Sequence, residues 1–229
     1  MSALRLAIIG DGKMGRMVRA LAEEQGISVT AFLGPDARIT TSSLNGADVA
    51  IEFTQPDAAA ANVRACAAAG VPVVSGTTGW NADRPAVEAD VRAAHGALLW
   101  APNFSLGVHL FNAVIAAAAK RAKAAGGFGL HLVETHHTAK LDAPSGTARL
   151  LADTASSALG AEVPITSVRV GSVPGTHELV IDGAFEQIRL THEARDRRVF
   201  ALGAIAAARW LVGRQGIFTL DDMLGTGDA

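Results

Sequence analysis

The chain has 229 residues, 49% of them hydrophobic and 18% charged. That length supports one large domain or two small ones and excludes a disordered chain. A formal net charge of −2 without a block of basic residues argues against nucleic acid or an anionic membrane as partner, and a single cysteine, Cys66, excludes a disulfide framework and a thiolate metal site.

Leu4–Ile9 predicts a buried strand. This apolar run is too short for a secretory core and leads into a glycine loop, so a cytoplasmic protein is expected. Met14, Met17, Val18, Leu21 and Ala22 then recur at helical spacing until Gly26. Ile27–Leu33 and Val49–Phe53 predict two more strands, with Thr54 as N-cap of an Ala-rich helix that opens near Pro56 and ends at Gly70. Val71–Ser75, a helix around Pro85–Ala94 and Ala97–Trp100 continue the alternation, which predicts a parallel sheet with helices on both faces.

After Pro102 the pattern changes. A long helix is predicted from Val108 to about Ala125, and its Ala113–Ala119 stretch meets Lys120 and Arg121 before reaching membrane-spanning length. A strand over Phe128–Glu134 enters a polar loop, followed by a helix from about Gly146 to Leu159. Strands are predicted at Ile165–Val170, His177–Ile181 and Phe185–His192, the last two joined at Asp182-Gly183, a hairpin signal that predicts a largely antiparallel or mixed second sheet. Phe200–Val212 reads as helix, and Gly216–Leu224 is expected to pack back on the first domain.

Gly10-Asp11-Gly12-Lys13-Met14-Gly15 matches G-x-G-x-x-G directly after a strand and at the opening of a helix. Glycine there permits a tight turn and close backbone approach to a pyrophosphate on the helix N-terminus. The same pattern also closes plain strand–helix turns, but its place at the first such junction favours a dinucleotide. The second strand lacks a terminal acidic residue. Asp36 is placed to hold a ribose, Lys13 and Arg38 to hold a 2′-phosphate, and all three also fit solvated loop charges, so NADH and NADPH both stay open.

The segment Glu134 to Thr147 carries the chemistry. Its two histidines and Lys140 can exchange protons, and the helix start at Ser145–Thr147 offers free backbone N–H groups to a carboxylate. Blander readings stand beside this. His131, inside a strand, reads as structural; Ser145-Gly146-Thr147 also reads as an N-cap; and no carboxylate or cysteine falls at a familiar spacing for a metal, so none is expected. A serine nucleophile lacks the G-x-S-x-G elbow. Arg197, in Arg195-Asp196-Arg197-Arg198, reads as a solvated arginine.

The stretch His136-His137-x-x-Lys140-x-Asp142-Ala143-Pro144-Ser145-Gly146-Thr147 resembles the signature loop of the 4-hydroxy-tetrahydrodipicolinate reductase (dihydrodipicolinate reductase) family. Gly76-Thr77-Thr78-Gly79 and Ala101-Pro102-Asn103-Phe104-Ser105 resemble its nicotinamide-side loops, and Asp11 to Gly15 its phosphate loop. Arg169-Val170-Gly171 through Pro174-Gly175-x-His177 resembles its return loop and Phe218–Leu224 its ending, so the likeness spans nearly the whole chain in order.

The resemblance implies a Rossmann-like, doubly wound cofactor domain over residues 1–105, completed by 198–229. A mixed α/β domain over 106–197 would bind the substrate and build a homotetramer. It implies His136 as acid–base residue, Lys140 as proton donor, His137 and Ser145 at the substrate, and Gly146 and Thr147 on one of its carboxylates. Gly10, Asp11, Gly12, Lys13, Met14 and Gly15, with Gly76, Thr77, Thr78 and Ala101, Pro102, Asn103 and Phe104, would hold NADPH or NADH. The implied reaction reduces a small dicarboxylate, the product of the preceding synthase, with loss of water, to tetrahydrodipicolinate. The chain departs from the family in a phosphate loop one residue shorter than many, a compact Gly34–Gly46 region, and Thr138 and Ala139 before Lys140. The alternatives are another dehydrogenase of a small amino or keto acid, which has no need of Lys140 beside Ser145–Thr147, and a non-catalytic cofactor sensor.

Overall fold

The computed structural model describes residues 3–225. The chain forms two compact units, Met1–Phe104 with Arg198–Ala229, and Ser105–Arg197. In the first unit, β1 (Arg5–Ile9), α1 (Lys13–Glu24), β2 (Ser28–Leu33), β3 (Val49–Glu52), α2 (Pro56–Ala68), β4 (Val73–Ser75), α3 (Arg84–Ala93) and β5 (Ala97–Trp100) alternate as the apolar runs predict. All pairings among the strands are parallel. Strands β1, β3, β4 and β5 are almost wholly buried, which is why they read as continuous apolar runs rather than alternating ones.

Thr54 is not the cap of α2. Gln55 is the N-cap, without a side-chain bond, while the Thr54 hydroxyl turns to Glu52. That hydroxyl donates to the Glu52 carboxylate and accepts from the Asn62 side chain, so both of its roles are taken. The helix keeps its start because Pro56, at its first turn, has φ preset and no N–H to satisfy.

The second unit holds α4 (Leu106–Ala125), β6 (Gly129–His136), α5 (Gly146–Leu159), β7 (Ile165–Arg169), β8 (Thr176–Asp182) and β9 (Gln187–Glu193). Its sheet runs β7-β6-β8-β9, with β6 parallel to β7 and antiparallel to β8, and β8 antiparallel to β9. Helix α4 starts two residues earlier than predicted, because the buried Ser105 side chain accepts from Val108 N and fixes the first turn. The β8–β9 connection closes on the pair Asp182 and Gln187, so Phe185 lies in the turn and is fully exposed. Leu130, Leu132, Leu179 and Ile181 on one sheet face pack with Phe111, Ile115, Ala119, Leu151 and Ala155 of the helices. Period 2 on the strands and small residues on the helices make this core.

After α6 (Arg198–Leu211), β10 (Gly216–Phe218) adds to the first sheet parallel to β5, giving the order β10-β5-β4-β3-β1-β2. The tail thus adds a strand to the first sheet, and α7 (Leu220–Leu224) is fixed by a Thr219–Asp222 capping box. Helices α1 and α6 pack together, as do α2 and α3. Gly203 lets α6 approach closely: a Cβ there would lie 1.7 Å from Phe104 O. No helix among the described residues is long and apolar enough to cross a membrane.

Candidate active site

In the first unit the chain leaves β1 for β2 on one side of the sheet and later returns to β3 on the other. Such a switch point opens a crevice at the carboxyl ends of the strands. A cavity of about 900 Å³ lies there, lined by Gly10 to Met14, Gly34, Pro35, Phe53 to Pro56 and Gly76 to Thr78, among others. Its size matches the upper range of small-molecule sites.

The glycines build the cavity's backbone. Gly10 has φ +104, and a Cβ there would lie 2.0 Å from Phe53 O; a Cβ on Gly15 would lie 1.8 Å from Gly10 O. Gly12, the N-cap of α1, has no atom within 4 Å of such a Cβ, and no side chain caps the helix. An uncapped helix N-terminus facing open space is the arrangement an anionic pyrophosphate fits. The residues present therefore fit a dinucleotide. Lys13 lines the cavity, whereas Asp36 and Arg38 do not. Of the second loop pair, Ala101 and Phe104 are buried, and the Phe104 ring meets the Phe53 ring edge-on at 6.0 Å; Pro102 is exposed and Asn103 half-buried.

In the second unit, β6 runs two residues beyond its predicted end, and this corrects the reading of a polar loop. Thr135 and His136 are strand residues, held by pairing with Val168 and Arg169 of β7. Alternation along β6 puts Glu134 and His136 on the core face, where both are buried. His177 stands opposite Glu134 on β8. His136 Nδ1 bonds Glu134 Oε2, and Arg169 donates to Glu134 Oε1 at 2.7 Å. The His177 ring meets His136 edge-on at 5.3 Å. Gly175, at φ +154, leaves room for that ring, since its Cβ would lie 3.0 Å from His136 Nε2.

Burial pushes the Glu134 carboxyl up, but Arg169, Ser167 and His136 together hold it below the usual range. Burial lowers His136 below its ordinary value; the Glu134 charge and hydrogen bond oppose this, and Lys140 and Arg169 add to it. His177 is pushed down to about 4, first by burial and then by the charge of His136. The pair is thus an ionised carboxylate on a neutral imidazole near neutral pH.

Lys140 Nζ lies 2.7 Å from Asp142 Oδ1. That bond first, with help from the Gly146 amide, holds Asp142 below the usual carboxylate range. Arg169 also donates to the carbonyls of Lys140 and Asp142, tying this loop to Glu134. Ser145 is the N-cap of α5 and accepts from Ala148 N at 3.1 Å; its hydroxyl lies 3.5 Å from His177 Nε2. Gly146 and Thr147 open the helix, exposed and half-buried respectively.

His137 does not join the buried cluster. As the next residue it turns away from His136, and the exposed Arg197 donates toward its Nε2 at 3.4 Å, so this arginine is more than a solvated charge. His131 bonds Thr166 Oγ1 at 2.8 Å, in keeping with a structural role. Arg169 and His177 lie at the two ends of the return-loop motif, and their meeting with Glu134 follows from strand register.

Ligand spacing along the chain predicts no metal, yet the fold gathers three groups that could hold one. Potential ligand atoms of Glu134, His136 and His177 lie within 4.8 Å of one another. Both Glu134 oxygens are already engaged, one by a guanidinium, and Lys140 adds a second positive field on His136. Such a donor set suits a held acid–base histidine better than a cation.

Profiles of the two halves of one family match in order: dihydrodipicolinate reductase, N-terminus, over residues 4–104, and dihydrodipicolinate reductase, C-terminus, over 107–224. A 4-hydroxy-tetrahydrodipicolinate reductase of Christiangramia forsetii is 35% identical over 96% of this chain and 98% of its own length. One from Rhodopseudomonas palustris strain TIE-1 is 36% identical over the full length of both. Among solved structures, a dipicolinate-bound dihydrodipicolinate reductase from Paenisporosarcina sp. TG-14 shares the fold at a TM-score of 0.80, with 21% identity, covering 95% of this chain and 98% of that one. With both halves matched and relatives similar from end to end, the chain belongs to the dihydrodipicolinate reductase family, oxidoreductases that use NAD(P)H.

Proposed function

We propose that this chain reduces 4-hydroxy-tetrahydrodipicolinate to tetrahydrodipicolinate, in the route to diaminopimelate and lysine, with proton transfer carried by His136 and Lys140. The observation that carries this assignment of roles is the buried Glu134–His136 pair, braced by Arg169, in the same unit as Lys140 and the Ser145-capped start of α5. When bound, the reduced nicotinamide supplies a hydride to a carbon of the substrate ring.

The chain's own groups do the rest. The backbone from Gly10 to Gly15, with Lys13, holds the dinucleotide phosphates, and the loops Gly76–Thr78 and Ala101–Phe104 hold its nicotinamide side. Gly146 and Thr147 at the start of α5 bind one substrate carboxylate, with Ser145 fixing that turn and His137 as a further substrate contact. Loss of the substrate hydroxyl as water takes up one proton and releases one from the adjacent ring carbon, whereas hydride reduction of the conjugated ring needs a net proton placed at a defined atom. Lys140 gives that proton. His136, neutral near pH 7, exchanges protons, and Glu134 fixes its tautomer and ring orientation.

The α4 and α5 helices cover one face of the second sheet. The other face carries Val133 and Val180, half-buried, and Val168, exposed. An apolar face that the helices leave uncovered supports assembly as a homotetramer. A biosynthetic reductase whose one cysteine is buried suits the cytoplasm.

The test is oxidation of NADH and of NADPH by purified protein while the preceding synthase supplies substrate from pyruvate and aspartate semialdehyde. Synthase-dependent oxidation is expected, and its two rates give the cofactor preference. Dinucleotide binding without oxidation would overturn the reading in favour of another small-acid dehydrogenase.

A further inference from the structure

We infer that Glu52 is a positioning residue for the cofactor cleft: a buried carboxylate that binds together the loops following β3 and β4. The inference rests on the assignment of that cleft to the dinucleotide.

Glu52 is the last residue of β3, after Val49, Ala50 and Ile51. It has no exposed surface, and it pairs in register with Ile9 of β1 and Ser75 of β4. A buried site among such neighbours is ordinarily apolar, because an ionisable group there must be fully satisfied to be tolerated. Here three hydroxyls satisfy it. Ser75 donates to Oε2 at 2.6 Å, Thr77 donates to Oε1 at 2.8 Å, and Thr54 also donates to Oε1. No ion pair joins Glu52 to a lysine or arginine among the described residues.

Each donor sits on a strand end or loop that builds the cleft. The Thr77 hydroxyl gives its proton to Glu52 and accepts from Thr54 N at 2.8 Å, so it is a bridge between the two loops. Asn62 of α2 donates to the Thr54 hydroxyl, and Gly76 N donates to the Glu52 carbonyl. Trp80 and Trp100 both donate their indole N–H to Thr77 O, at 2.8 and 3.1 Å. The Phe53 ring packs so closely under Gly76 that a Cβ there would lie 2.0 Å from it.

Phe53, Thr54, Gly76, Thr77 and Thr78 line the cavity, whereas Glu52 does not. Glu52 therefore acts through its neighbours. Without it, three buried hydroxyls lose their acceptor and the two loops lose their shared brace. A surface that binds through fixed backbone positions loses affinity when those positions move by a fraction of an ångström.

The test compares Glu52→Ala and Glu52→Gln in the full-length protein. The readouts are the KM of the dinucleotide, the KM of the dicarboxylate, kcat, and direct titration with NADPH. In Glu52→Ala the dinucleotide KM is expected to rise about tenfold or more, while the dicarboxylate KM stays within about twofold. Glu52→Gln keeps an acceptor for Thr54 and Thr77, and rotation of the Ser75 hydroxyl lets it accept from the amide, so this variant should return to within about threefold of the parent.

A merely structural Glu52 would lower thermal stability and leave the dinucleotide KM of the folded protein unchanged, which would overturn the inference. If Glu52→Ala does not fold, Thr77→Val removes the bridging hydroxyl at constant shape and is expected to raise the same KM; an unchanged KM there overturns the inference equally. Failure of the parent protein to bind NADPH would instead remove the assignment of the cleft, and the inference with it.

Discussion

The two units place their chemistry in different materials. The cleft of the first is made of backbone: glycines where a Cβ would strike a carbonyl, and an uncapped helix start facing open space. The cluster of the second is made of buried side chains, with Glu134 and His136 on one strand, His177 and Arg169 on its two neighbours. Backbone recognition suits a large cofactor whose phosphates are alike wherever they occur. Side-chain recognition suits proton transfer, because only a side chain can be given a new pKa by burial and by its partners.

The largest effect expected from breaking the first region is in Gly15→Ala. The new Cβ would lie 1.8 Å from Gly10 O, a rigid backbone atom, so the phosphate loop must move. Titration should show dinucleotide affinity reduced by about 100-fold, with dicarboxylate binding retained. Equal loss of both would mean that the two materials are not separable.

Breaking the second region is expected to do the reverse. In Glu134→Gln, kcat should fall by about tenfold or more, because His136 loses the carboxylate that orients it. Glu134 also raises the proton affinity of His136, so the acid limb of the pH–rate profile should move to lower pH. The NADPH dissociation constant should not change. A normal pH profile with lowered kcat would assign Glu134 to stability alone.

The smallest effect concerns stability in acid. His177 has an ordinary value of 6.5 and a folded value of about 4. The unfolded chain therefore binds the proton first. The contribution of this group is complete above pH 6.5 and is lost as pH falls toward 4, by up to roughly 3 kcal/mol. Glu134, held low in the fold, adds a loss in the same direction below its ordinary value of 4.5. In His177→Gln the fall of thermal stability between pH 6.5 and 4 should be shallower than in the parent. An identical slope would show that burial of His177 is not what sensitises the fold.

How much of this could be read in the sequence follows from the same contrast. The glycine turn from Gly10 to Gly15 is legible because backbone conformation is written locally, in residues that lack a Cβ. The alternation of buried strands and helices was legible for the same reason, and Ser145 was legible as a cap. Glu134, Arg169 and His177 lie on three strands, and register, which local composition does not specify, brings them together. The end of β6 was misplaced because His136 is polar, and only its pairing with Arg169 of β7 makes it a strand residue. Glu52 is hidden in an apolar run, and two of its three hydroxyl partners lie 23 and 25 residues away, on β4 and its following loop. Arg197 stands 60 residues from His137.

The central claim is that cofactor binding belongs to the backbone cleft and proton transfer to His136 and Lys140. The most direct test measures turnover and NADPH affinity side by side in His136→Ala and in Lys140→Ala. Each variant should lose turnover by about 10²- to 10⁴-fold while its NADPH dissociation constant stays within about twofold of the parent. Near-full turnover in either variant would remove that residue from the mechanism, and loss of NADPH binding in both would contradict the division itself.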